Sequence, residues 1–176
     1  GTGGGSIAYL DEQRRLHVGP RSAGSAPGPV CFGRGGTQPT VTDANAALGR
    51  ISGGAFLSGG LKIDANAAST ALMANIGAVL GYQSGGYQGG GAASGELSDT
   101  AGVDAVASGV LALANAQMAS AIREITIERG KDAREFTLFL FGGGGPLHGL
   151  DLARELLIKR VIVPPEPGNF SALGML

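Results

Sequence analysis

The chain has 176 residues, with 13 Lys and Arg against 14 Asp and Glu, a formal charge of −1 at pH 7. A hydrophobic content of 43% is enough to bury a core, as one domain or a piece of one. Near-neutral charge, 5% aromatic residues and no Trp point away from nucleic acid and from an anionic membrane surface. No apolar run approaches a membrane span, and the lone Cys31 excludes an internal disulfide and fits a reducing, cytoplasmic compartment.

The chain opens on Gly1-Thr2-Gly3-Gly4-Gly5-Ser6, a glycine loop with no strand before it. Such loops usually follow a strand, so the sequence reads as a piece cut from inside a larger domain. Alternation over Ser6–Leu10 predicts a strand, and Leu16-His17-Val18 predicts the second arm of a hairpin, closed by Gly19-Pro20. His17, with no metal-spaced neighbours, is expected to pack at the rim. Residues 22–39 form a long irregular segment of the kind that is functional or disordered. Within it Cys31 reads as a buried structural thiol, whereas Arg34, between glycines, is suited to clamp a carboxylate or phosphate.

A short helix is expected after Thr40, capped by Thr42 or Asp43 and stopped by Gly49. Two roles stay open for Asp43: a helix cap, or a carboxylate at a cleft edge that serves a metal or positions water. Asp64 caps a second helix, whose apolar stripe is Ala68, Leu72, Ile76, Val79 and Leu80. Gly81 ends it, and residues 81–98 have the composition of a flexible Gly-rich linker. A long helix over 101–129 follows, with Val103, Val106, Val110, Leu113, Ala114, Met118, Ala121, Ile122 and Ile125 as its stripe and Gly130 as its stop.

Thr137–Phe141 predicts a buried strand. It runs into Gly142-Gly143-Gly144-Gly145 and then Pro146, a favoured first residue of a helix. That helix, to Leu157, directs Leu147, Leu150, Ala153, Leu156 and Leu157 inward. Arg160–Val163 forms the next strand, so the unit is a parallel crossover, and a last helix starts near Gly168. The four glycines place no side chain over the turn, and the helix start offers unpaired N–H groups and partial positive charge. A nucleotide could rest there, although a tight turn without a ligand has the same pattern. His148 is expected to pack or cap on the first turn of this helix. Two nucleotide motifs are excluded. Gly130-Lys131 is followed by Asp132, which rules out a P-loop, and neither glycine frame at 142–148 meets the dinucleotide spacing.

An ordered set of stretches resembles the hydantoinase A/5-oxoprolinase family, which includes the ATP-binding subunits of acetone and acetophenone carboxylases. The set comprises Gly3–Ala8, Gly19–Gly24, Pro27–Thr37, Pro39–Asn45, Ala114–Met118, Ile122–Glu124, Glu128–Gly130, Phe141–His148, Val163–Pro165 and Ser171–Gly174. The resemblance implies an α/β chain, one lobe of an actin/Hsp70/sugar-kinase-like (ribonuclease H-like) ATPase fold, with a mixed sheet and flanking helices. Residues 1–176 would be the C-terminal part of a hydantoinase/oxoprolinase-type domain. The implied reaction is ATP-dependent opening of a cyclic amide or imide, with ATP and Mg2+ as cofactors. The alternatives are the ATP-binding subunit of a ketone carboxylase, or a truncated fragment without activity of its own. Gly142, Gly143, Gly144 and Gly145 would line the adenosine. Gly4, Gly5, Ser6 and Arg34 are candidates for phosphate or substrate contact, and Asp43 for the catalytic carboxylate; the metal ligands stay unknown. Implied partners are a small cyclic amide, the missing N-terminal lobe and a second subunit of the hydantoinase B type, with no nucleic acid and no membrane.

Overall fold

A computed structural model describes residues 3–51, 62–83, 86–87 and 100–175. The chain is mixed α/β and divides into two compact units, Gly1–Leu113 and Ala114–Leu176. Among the described residues the strands form separate two-stranded pairs rather than the single mixed sheet expected.

In the first unit, β1 (Ser6–Leu10) pairs antiparallel with β2 (Leu16–Ser22), matching Ala8 to Val18 and Leu10 to Leu16. The second arm runs beyond the expected stop at Pro20. A register shift between Ser6 and Ala8 takes up the irregularity, and a proline without a donor is tolerated on such an edge. Asp11 organises the hairpin turn, accepting from the backbone N–H groups of Gln13 and Arg15 and pairing with the Arg15 side chain. These bonds, with His17, hold its carboxyl well below the usual range. His17 also stacks on Tyr9, as a rim residue should.

Helix α1 (Val41–Ala47) begins two residues before the expected caps. Thr40 is the N-cap and Asp43 completes a capping box from the third helical position. Gly49, in the left-handed conformation, closes it as expected. Helix α2 (Ala65–Leu72) starts on Asp64, whose carboxylate accepts from the Ala67 N–H. Its stripe holds through Ala68, Leu72 and Ile76, but Val79 and Leu80 are exposed. The cause is a π turn at Met73–Gly77, whose extra residue rotates everything after it away from the core. Strands β3 (Tyr82–Gln83) and β4 (Gly86–Tyr87) make a small antiparallel ladder. The rest of the expected linker, 84–85 and 88–98, lies outside the described residues.

Helix α3 (Ala101–Glu128) has the expected length. Val106, Val110 and Ala114 are buried as the spacing required, joined by Ala107, Leu111 and Ala119, whereas Ile125 is exposed. In an alanine-rich helix two neighbouring registers satisfy the same three-and-four spacing. One correction to the sequence reading concerns hydropathy: this helix is long and apolar enough to cross a membrane by length and composition. Alanine raises hydropathy without a bulky run, and the same helix contributes buried core residues.

In the second unit, β5 (Thr137–Phe139) pairs in parallel with β6 (Arg160–Ile162) across α4 (Gly145–Leu156), the expected crossover. The Leu140 N–H continues the ladder to the Ile162 carbonyl. Leu152, Ala153, Leu156, Ile158 and Ala119 form a core packed by Met118, Ile122, Leu138 and Val161. The buried face of α4 is shifted from the expected one. It is His148, Gly149, Leu152, Ala153 and Leu156, leaving Leu150 and Leu157 exposed. A short helix, α5 (Phe170–Leu173), closes the described chain.

Candidate functional site

The glycine turn begins where β5 ends. Gly142 has φ +85°, a conformation that a side chain strains, and its N–H donates to the Pro167 carbonyl at 2.7 Å. Gly143, Gly144 and Gly145 need no special conformation. A Cβ added at any of the four glycines would meet nothing within 4 Å. Their small size is therefore not demanded by packing among the described residues. No side chain caps the first turn of α4, and Gly144 occupies the cap position. The turn is thus a bare backbone edge before a helix start, the arrangement that accommodates an anion or a flat ligand.

Beside this turn lies a polar cluster that sequence reasoning touched only at His148. The imidazole is 5% exposed and its Nδ1 lies 2.7 Å from Asn115 Oδ1 on α3. Asn115 Nδ2 in turn donates to Asp151 Oδ2 at 3.2 Å. Asn115 and Asp151 had no local signal, because they meet His148 only once α3 and α4 pack together.

The other candidates fall in the first unit. Ser6 is buried, and its Oγ accepts from the Gly3 N–H at 2.9 Å, folding the loop on itself. The Gly4 carbonyl accepts from both the N–H and the hydroxyl of Thr42. A Cβ at Gly4 would press on Thr42 Oγ1, and one at Gly5 on Ser22 Oγ. These glycines are small partly because the loop is tied down closely. Arg34 is exposed and makes no hydrogen bond or ion pair among the described residues.

Asp43 is fully buried. Its carboxylate accepts from the N–H groups of Cys31 at 2.7 Å, Thr40 at 2.8 Å and Val30 at 3.2 Å, and from the Thr40 hydroxyl at 2.8 Å. That arrangement favours the capping role over contact with a metal or water. Burial, then the nearby Asp43 charge, pushes the Cys31 thiol far above its ordinary range, in keeping with an inert thiol. Two residues after Asp43, Asn45 Oδ1 is buried without a hydrogen-bond partner among the described residues. Its Nδ2 donates to the Val41 carbonyl.

Loops 22–28 and 36–38, with Ile7, line a half-open pocket of about 250 Å³. A cleft of about 600 Å³ in the second unit lies between the C-terminal ends of α3 and α4, away from the glycine turn. Its Arg123 and Arg134 are already paired with Glu155 and Asp132. Among the described residues, no group of three or more His, Cys, Asp or Glu could hold a metal ion.

A family model described as hydantoinase/oxoprolinase matches residues 1–176. Caprolactamase subunit alpha of Pseudomonas jessenii is 42% identical over 176 residues, covering 100% of this chain and 23% of that protein. The crystal structure of the ATP-dependent caprolactamase from the same organism superposes with a TM-score of 0.81, covering 98% of this chain and 22% of its own. A nucleotide-free acetone carboxylase structure, 30% identical, gives 0.80, with 99% and 22% covered. The chain thus spans less than a quarter of the length of these relatives.

Proposed function

Because the chain belongs to the hydantoinase/oxoprolinase family, we propose that it is a segment of an ATP-dependent hydrolase that opens a cyclic amide or imide. In this reading Gly142–Gly145 receive the adenosine part of ATP. The observation that carries it is the bare turn. Four consecutive glycines face open space, and three of them have no conformational need to be glycine. A ligand that lies close against the backbone gives a reason for the missing side chains. The relative named as an ATP-dependent caprolactamase supports the reaction class.

The chain would be the C-terminal part of one lobe of an actin/Hsp70/sugar-kinase-like ATPase, in a cytoplasmic enzyme, with 81–98 as a linker. Arg34, exposed and unpaired among the described residues, suits the proposed phosphate or substrate clamp. Gly4, Gly5 and Ser6 would serve through the backbone of their loop, since the Ser6 hydroxyl is already engaged. Mg2+ would be held mainly by the phosphates and by groups from other parts of the polypeptide. A second subunit of the hydantoinase B type fits a relative that is itself called a subunit alpha.

One test leaves the fold untouched. Gly143 and Gly144 have open space and ordinary backbone angles, so replacing both by Val changes the turn's outer surface alone. Calorimetry on the full-length protein is expected to give an ATP dissociation constant at least about tenfold weaker for the Gly143→Val, Gly144→Val pair, roughly 1.4 kcal/mol. Unchanged affinity would remove the nucleotide from this turn. A second reading, the ATP-binding subunit of a ketone carboxylase, is favoured by the acetone carboxylase superposition. Bicarbonate-dependent ATP turnover would select it over cyclic-amide hydrolysis.

A further inference from the structure

The His148 cluster contains an asymmetry that its distances alone do not state. An ionised Asp151 can only accept, so the Asn115 amide must turn its Nδ2 toward Asp151 Oδ2, 3.2 Å away. The amide oxygen then necessarily faces His148, where Nδ1 lies 2.7 Å from it. A carbonyl oxygen cannot donate, so the imidazole must carry its hydrogen on Nδ1. This order follows from the carboxylate, which only accepts.

We infer that Asn115 and Asp151 are positioning residues that fix His148 as the Nδ1–H tautomer and make Nε2 its working nitrogen. The imidazolium also carries Nδ1–H, so the bond to Asn115 survives in both charge states. Proton gain and loss, and acceptance of a hydrogen bond, are thereby confined to Nε2. His148 sits on the first turn of the helix that follows Gly142–Gly145, on its buried face, so the cluster sets the chemistry of a ring one turn from the candidate site in sequence. A neutral ring held in this way matches a donor such as a hydroxyl or water and opposes a phosphate oxygen, which only accepts. Use of Nε2 at a nucleotide rests on the glycine-turn reading; the tautomer does not, so the two can fail separately.

The chain contains its own contrast. His17 Nε2 lies 2.9 Å from Asp11 Oδ2, an acceptor, which requires the opposite tautomer, Nε2–H. Nitrogen–proton correlation spectra of the full-length protein, labelled at histidine and recorded where imidazole is neutral, read both rings, each assigned by its loss in His148→Gln or His17→Gln. The signal lost in His148→Gln is expected to come from an Nδ1–H ring, and the one lost in His17→Gln from an Nε2–H ring. In Asn115→Leu the Nδ1–H preference of His148 should disappear. It should weaken in Asp151→Asn, which keeps the shape but frees the amide to turn, and persist in Asn115→Asp, which keeps an acceptor. An Nε2–H ring at position 148 in the unsubstituted protein would overturn the inference. So would an Nδ1–H preference unchanged in Asn115→Leu.

Discussion

Four donors meet the carboxylate of Asp43, three of them backbone N–H groups from two separate stretches of chain. The residue ties the turn around Cys31 to the start of α1, and no solvent reaches it. Removing the carboxylate strands three buried or part-buried amides. Each unsatisfied group costs roughly 1–3 kcal/mol, and partial relaxation recovers some of that. Asp43→Ala is therefore expected to lose on the order of 3 kcal/mol, read as a lower urea midpoint at an unchanged denaturant slope. Asp43→Asn should also destabilise, because one oxygen becomes an NH2 facing donors. A carboxylate that served a metal or a water would behave differently: stability would hold within about 0.5 kcal/mol while turnover fell. The sequence left these two roles open because Asp43 was visible as a possible cap beside Thr42, but its partners at Val30 and Cys31 lie a loop away. The same limit hid Asn115 and Asp151, which are unremarkable polar positions until two helices meet.

At the scale of elements, starts and stops were legible and faces were less so. Asp64 before α2, Gly49 after α1, Gly130 after α3 and Pro146 at the start of α4 act through local backbone chemistry, which a sequence states directly. The buried stripes depend on what packs against them. In α2 a π turn rotated Val79 and Leu80 outward. In α4 the stripe moved so that Gly149 could approach Leu140, whose side chain occupies the space a Cβ would need. One helix stop carries a cost. α4 ends on Leu157, a non-glycine residue at φ +56° and ψ +31°, with 65% of its surface exposed. A left-handed side-chain-bearing residue costs roughly 1 kcal/mol relative to glycine. Its exposed side chain contributes little packing in return. Leu157→Gly is expected to raise unfolding free energy by about 0.5–1 kcal/mol in chemical denaturation. A loss of stability would mean that the leucine packs against something in solution.

For the whole molecule, the second unit shows one covered face and one bare face. Leu138 and Val161 pack on the core beneath α4. On the other side Phe139 is 42% exposed and Phe141 50%, and Ile162 and Val163 are exposed beside them. Phe139, Phe141 and Phe170 touch one another with ring centroids 5.1–6.1 Å apart, a compact aromatic patch running up to Gly142. Parallel strands are ordinarily covered on both faces, and two three-residue strands are too few to make a sheet of their own. The relatives have more than four times this length, enough to supply the missing layers. An ATPase site needs groups on the phosphates as well as on the adenosine. In the proposed reading the glycine turn offers the second kind, and no metal-binding group is assembled among the described residues. The proposed site is then a half-site, and the 176 residues alone are expected to release no phosphate from ATP above buffer. The full-length polypeptide, with the proposed partner subunit, should turn over ATP, measured by phosphate release in parallel reactions at equal concentration. Turnover by the 176 residues within about tenfold of the full-length rate, about 1.4 kcal/mol in barrier height, would show that the catalytic groups lie within this chain. Arg34, Asp43 and His148 would then be the first positions to substitute.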